Sequence, residues 1–239
     1  MLKFFPLMGV LFSGTVLLGQ GPFESKIEEA FSFLEKREVQ INEVAGKFDC
    51  PKASALAIGF PELIRYQLVK DLFETTALEL LYEDLGSREV DFSIGPFQMK
   101  PSFVEELETV ILNHPNVFSE LQWVAAYDTE DVKNQRAIRL QRLESFEWQL
   151  NYLFSFYKVA DLSFSDEAFC NEHEKIAFFA SAYNLGFKAE RNLIRSFISK
   201  EIFPYGKKYN GPQVAYAALA VRYFQEQTPR KTEIFCVNR

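Results

Sequence analysis

Three stretches of this 239-residue chain carry side chains that can do chemistry. The first runs Ala55-Leu-Ala-Ile-Gly-Phe-Pro-Glu62 and ends an apolar segment on a carboxylate. A carboxyl that apolar neighbours strip of water keeps its proton near neutral pH and can act as a general acid. Ile58, Phe60 and Leu63 can supply that setting, so Glu62 is the candidate acid. Its purely structural alternative is an ion pair with Arg65, three residues on. The second stretch, Asp91-Phe-Ser93-Ile-Gly95-Pro-Phe-Gln98-Met99-Lys-Pro101, reads as a tight turn. There Gly95 permits a close backbone approach, and Ser93 and Gln98 offer the hydroxyl and amide that read sugar hydroxyls and N-acetyl groups. Met99 is suited to a pocket floor. The third stretch is Ala182-Tyr183-Asn184-Leu185-Gly186.

The elements that must position these groups read as helices. Apolar positions Ile27, Phe31, Leu34, Ile41 and Val44 predict one helix over residues 24–46. A second pattern runs from Leu56 to Leu85 and stops at Gly86-Ser87. Pro61 within it either kinks one helix or opens another; in the second case Glu62 sits in a first turn, where the helix dipole lowers its pKa and opposes desolvation. Ser102 and Glu105 form a capping-box signature for a helix to about Leu112. A long helix is expected from Val132 to Tyr157, with Lys133, Arg136, Arg139 and Arg142 as a solvated face. Asn171 starts the next helix, which Gly186 ends, and two more are expected over 188–202 and 213–226. No strand alternation is evident, so the expected fold is all-α, about seven helices in one domain over residues 21–239.

Composition narrows the function. Hydrophobic residues make up 48% of the chain and charged ones 25%, as in a packed globule. A net charge of −7 argues against nucleic acid as a partner. Residues 1–20, with Lys3 before the run Phe4–Leu18, read as a cleavable signal peptide, which implies export to a periplasm or cell envelope and no membrane partner after cleavage. Of Cys50, Cys170 and Cys236, export allows one disulfide, and sequence leaves the pair open. His114 and His173 lie far apart in polar surroundings, so neither a metal site nor a cofactor is expected. Trp123 and Trp148 are expected in the core, with sugar stacking as their other use.

The order of Glu, Ser-x-Gly-x-x-Gln-Met-x-Pro and Ala-Tyr-Asn-x-Gly resembles the lysozyme-like superfamily, specifically the bacterial soluble lytic transglycosylases and goose-type lysozymes. The resemblance spans roughly residues 50–225 on about fifteen positions. It implies a lysozyme-like helical domain with a catalytic cleft. Glu62 matches the family's acid, Ser93, Gln98, Met99 and Pro101 its loop, and Tyr183 and Asn184 its third motif. The chain departs from the family in having Leu63 where a Ser usually follows the Glu. It has one residue fewer between Ser93 and Gly95, and a long insertion between Glu62 and Ser93. The family's late Tyr has three candidates, Tyr205, Tyr209 and Tyr216.

The resemblance implies a substrate, the glycan strand of peptidoglycan, and a reaction at its β-1,4 link from N-acetylmuramic acid to N-acetylglucosamine. Glu62 would protonate the leaving oxygen and then take the C6 hydroxyl proton, giving a 1,6-anhydro sugar. Gln98 and Tyr183 would position the substrate and steady the acetamido group. A hydrolase would instead need a second carboxylate, Asp91 or Asp84, about 6.5–9.5 Å from Glu62. The altered Glu62-Leu63 pair and the insertion keep open a rival reading, a non-catalytic glycan-binding or envelope-scaffold domain. An all-α interaction module with chance motif matches is the third.

Overall fold

The computed structural model describes residues 23–69, 76–204 and 211–228. The expected signal-peptide segment, Tyr205, Tyr209 and Cys236 lie outside them. The described residues form eleven α-helices and one two-stranded sheet. The helices are α1 (Glu24–Glu35), α2 (Glu38–Ala45), α3 (Lys52–Val69), α4 (Thr76–Leu85), α5 (Pro101–Asn113), α6 (Gln122–Ala125), α7 (Val132–Glu144), α8 (Phe146–Ser163), α9 (Glu172–Leu185), α10 (Arg191–Phe197) and α11 (Tyr216–Gln227). No described helix is long and apolar enough to cross a membrane.

Three helices form the middle of the core. On α8 every residue from Gln149 to Tyr157 is buried, so it is enclosed all round rather than amphipathic. The Ala55–Ile64 stretch of α3 and the Ile176–Tyr183 stretch of α9 are buried in the same way. Around them α1 packs on α3, α2 on α8, α11 on both α3 and α9, and α5 on α8. Gly59 lets α3 come in close: a Cβ there would lie 2.8 Å from Phe97 and 3.1 Å from Leu153.

Several boundaries differ from the periodicity reading. The 24–46 pattern is broken at Lys36 and Arg37 because its halves serve different neighbours, α1 covering α3 and α2 covering α8. The long 132–157 helix is two helices. Ser145 takes extended backbone between them, and its hydroxyl accepts from the Trp148 N–H. Pro61 lies inside α3 and neither starts nor ends it. The 188–202 helix is only α10, after which β1 (Glu201–Phe203) pairs antiparallel with β2 (Val214–Ala215). Strands this short show no alternation to read.

The basic row on α7 is not a solvated face. Lys133 is exposed beside Asp84, but Arg136 donates to the Glu83 and Asp84 carbonyls at the C-terminal end of α4. There the guanidinium meets the negative end of the helix dipole. Arg139 is buried, with its Nη2 2.7 Å from Glu108 Oε2 and its Nη1 2.9 Å from the Tyr82 hydroxyl. Tyr127 and Tyr152 both donate to the same Glu108. Arg142 donates to the Val124 and Ala126 carbonyls and lies 4.0 Å over the Trp148 ring. These cations join α7 to α4, α5 and α6.

Candidate active site

Glu62 sits near the middle of α3, well past its first turn, so the dipole argument for an acidic pKa does not apply. Its side chain is buried at 4% exposure. Burial pushes its carboxyl up to about 7, against the Arg65 charge and the Tyr216 hydroxyl, which both favour the anion. Arg65 Nη1 stands 3.5 Å from Glu62 Oε2, and that oxygen accepts no hydrogen bond from the described residues. The helix runs on but lacks one backbone hydrogen bond just here. Pro61 removes the N–H that would bond the Ala57 carbonyl, and Tyr216 reaches across from α11 to donate to the next carbonyl, Ile58, at 3.2 Å. Of the three late tyrosines, Tyr205 and Tyr209 lie outside the described residues, and Tyr216 acts on Glu62.

The Ser93–Pro101 turn is fastened on three sides. Ile94 and Met99 exchange backbone hydrogen bonds of 2.9 and 3.1 Å. Gly95 and Gln98 both take left-handed backbone, at φ 66° and 48°. A Cβ on Gly95 would fall 1.8 Å from the Gln149 amide nitrogen, so glycine is required for the approach to α8. Gln149, wholly buried, accepts from the Phe97 N–H at 2.8 Å and donates to the Ile94 carbonyl at 2.9 Å. From α9, Tyr183 donates to the Phe97 carbonyl at 2.9 Å. The Gln98 amide donates to the Gly95 carbonyl at 2.8 Å, and its Oε1 is buried without a partner among the described residues.

These pieces meet at a cleft of about 260 Å³. Glu62, Ser93, Gln98, Met99, Tyr183 and Asn184 all line it. The Tyr183 ring packs edge-on to Phe103 and Phe156, and its hydroxyl is committed to the turn. Two buried acceptors belong to residues of this lining: Gln98 Oε1, with no donor among the described residues, and Glu62 Oε2, with only the long Arg65 contact. Buried acceptors are costly to leave unpaired, so the cleft suits a ligand rich in O–H and N–H groups.

The second carboxylates lie elsewhere. Asp91 accepts from the Ser102 N–H at 3.1 Å and from its hydroxyl at 2.9 Å, and pairs with Lys100 at 3.4 Å. Asp91 thus caps α5, replacing the expected Ser102–Glu105 box. Glu105 turns instead to Tyr82, Ser87 and Arg139. Asp84 pairs with Lys133 on the surface. The lining holds one carboxylate that sequence reasoning missed, Glu106, one helical turn beyond Ser102 on α5. Arg65, Lys100 and Phe103 also line the cleft, and only their closeness in sequence to the motifs could have flagged them. Trp123 and Trp148 meet at a tilted contact, ring centres 5.9 Å apart, and neither lines it; Trp123, expected in the core, is 40% exposed. Among the described residues no cluster of His, Cys, Asp or Glu is placed to hold a metal ion. Comparisons with protein-family models, curated proteins and solved structures find no match to this chain.

Proposed function

We propose that this chain is an exported, lysozyme-like enzyme that cleaves the β-1,4 link from N-acetylmuramic acid to N-acetylglucosamine in peptidoglycan, with Glu62 as its single acid and base. The observation that carries this reading is a lone buried carboxyl with its pKa raised to about 7, in a cleft shared with Ser93, Gln98, Met99, Tyr183 and Asn184. Near neutral pH such a group is protonated in about half of the molecules, which suits a residue that must first give and then take a proton.

In the first step the Glu62 carboxyl donates its proton to the bridging oxygen, the C1–O bond breaks, and the leaving sugar departs with a hydroxyl. Positive charge develops at C1 in an oxocarbenium-like transition state, assisted by the substrate's own acetamido oxygen. In the second step the Glu62 carboxylate takes the C6 hydroxyl proton as the C6 oxygen bonds to C1. The product is a 1,6-anhydro sugar, no water is consumed, and Glu62 is protonated again. Ser93, Gln98 and Asn184 supply polar groups for the sugar, while Tyr183 holds the turn that carries Gln98.

Glu106 favours a second reading, hydrolysis, because it puts a carboxylate in the cleft lining that could activate water. Digestion of purified sacculi, followed by mass spectrometry of the soluble muropeptides, tests both. Transglycosylation yields products lighter by one water than hydrolysis. Wild type that releases nothing soluble, yet sediments with sacculi, would instead be a glycan-binding domain.

A further inference from the structure

We propose that Arg65 is a specificity-determining anion receptor in the cleft, and that it takes a carboxylate carried by the glycan. The proposal rests on the glycan-cleaving reading above and says which glycans the cleft prefers.

Arg65 lies one helical turn after Glu62 on α3 and lines the same cleft, with its side chain 28% exposed. Its contact with Glu62, at 3.5 Å, is long for a charged hydrogen bond. It makes no other side-chain hydrogen bond among the described residues, so a planar fork of N–H donors is left facing the cleft. Lys100, 53% exposed, adds a second cation to the lining and is held only at 3.4 Å by Asp91. Glu106, the cleft's other anion, has Lys188 at 3.9 Å to offset it. With Glu62 protonated the lining is therefore cationic, in a chain whose net charge is −7. A bidentate carboxylate is the ligand group that such a fork fits.

The receptor and the acid are coupled. Four charged or titratable groups act on Glu62 or are acted on by it: Arg65 on its own helix, Lys100 from the turn, Tyr183 from α9 and Tyr216 from α11. Among these the Arg65 charge is the strongest influence toward the anion. A glycan carboxylate that engages Arg65 neutralises it, and so leaves Glu62 holding its proton more firmly at the moment of attack.

The test uses the Glu62→Gln chain, in which a glycan survives intact. Binding is measured for a neutral N-acetylglucosamine tetramer, a tetrasaccharide alternating N-acetylglucosamine with N-acetylmuramic acid, and the latter with peptide stems on its lactyl groups. One or both acidic ligands should bind about ten-fold or more tighter than the neutral one, and adding Arg65→Met should erase the difference. The two acidic arms tell a lactyl carboxylate from a peptide one. Equal binding of all three, or a preference that survives Arg65→Met, overturns the receptor while leaving the glycan reading intact. No binding by any ligand sinks both. Should Arg65→Met fail to fold by circular dichroism, Arg65→Gln takes its place, with the same outcomes. In the active chain, removing the guanidinium should also move the midpoint of the activity–pH profile upward; an unmoved midpoint contradicts the coupling.

Discussion

Glu62 is kept protonated to a higher pH at the expense of stability. Its folded pKa of about 7 lies above the ordinary value of 4.5, so the folded chain binds the proton more tightly than the unfolded chain does. The sign follows: this group costs nothing below about pH 4.5, and its penalty grows as pH rises and is complete above about 7. The size is on the order of 3 kcal/mol. Glu62→Gln should therefore raise the melting temperature at pH 8 and leave it nearly unchanged at pH 4, as measured by calorimetry. The same substitution should abolish release of muropeptides. Activity also carries a sign. In the proposed mechanism the reactive form is the protonated one, so kcat/KM should fall as pH rises through about 7, in a single limb. A hydrolase with a separate general base would give a bell instead.

At the scale of elements, the site depends on how one turn is anchored. Gly95 sits against Gln149 with left-handed backbone, and the Phe97 peptide is gripped by Gln149 on one side and Tyr183 on the other. Gly95→Ala should cost about 2 kcal/mol or more in urea unfolding, from backbone strain and the clash with Gln149. It should also lower activity, because Gln98 moves with the turn. A stabilised or fully active Gly95→Ala chain would contradict this. The buried Arg139–Glu108 pair joins α7 to α5 outside the cleft lining. Arg139→Met alone leaves Glu108 buried without its cation and should cost about 3–5 kcal/mol, read as a shift of the unfolding midpoint. Glu108→Gln with Arg139→Met should recover part of that loss.

Over the whole molecule, what sequence made legible follows the range of the interactions involved. Helices announced by their own periodicity or caps were readable, as with Asn171, whose side chain accepts from the Glu174 N–H at the start of α9. Glu62, Gln98 and Tyr183 could be grouped because their residue types sit in a recognisable order, and all three line one cleft. Breaks decided by tertiary partners were not readable. Ser145 divides α7 from α8 because α7 turns its arginines to α4, α5 and α6, while α8 is enclosed all round. Nor could spacing say that Asp91 would cap α5, that Gln149 would anchor the turn from 52 residues away, or that Arg139 would be buried. Each depends on a partner distant in the chain, to which hydrophobic periodicity is blind.

The central claim is that one carboxyl serves as both acid and base in cutting the glycan strand. Its most direct test is digestion of purified sacculi in isotopically labelled water by wild type and by Glu62→Gln, with mass spectrometry of the soluble products. Wild type should release muropeptides ending in an anhydro sugar that carries no label, and Glu62→Gln should release none. Labelled, hydrated ends would contradict the single-carboxyl chemistry, and products from Glu62→Gln would contradict the assignment of the acid.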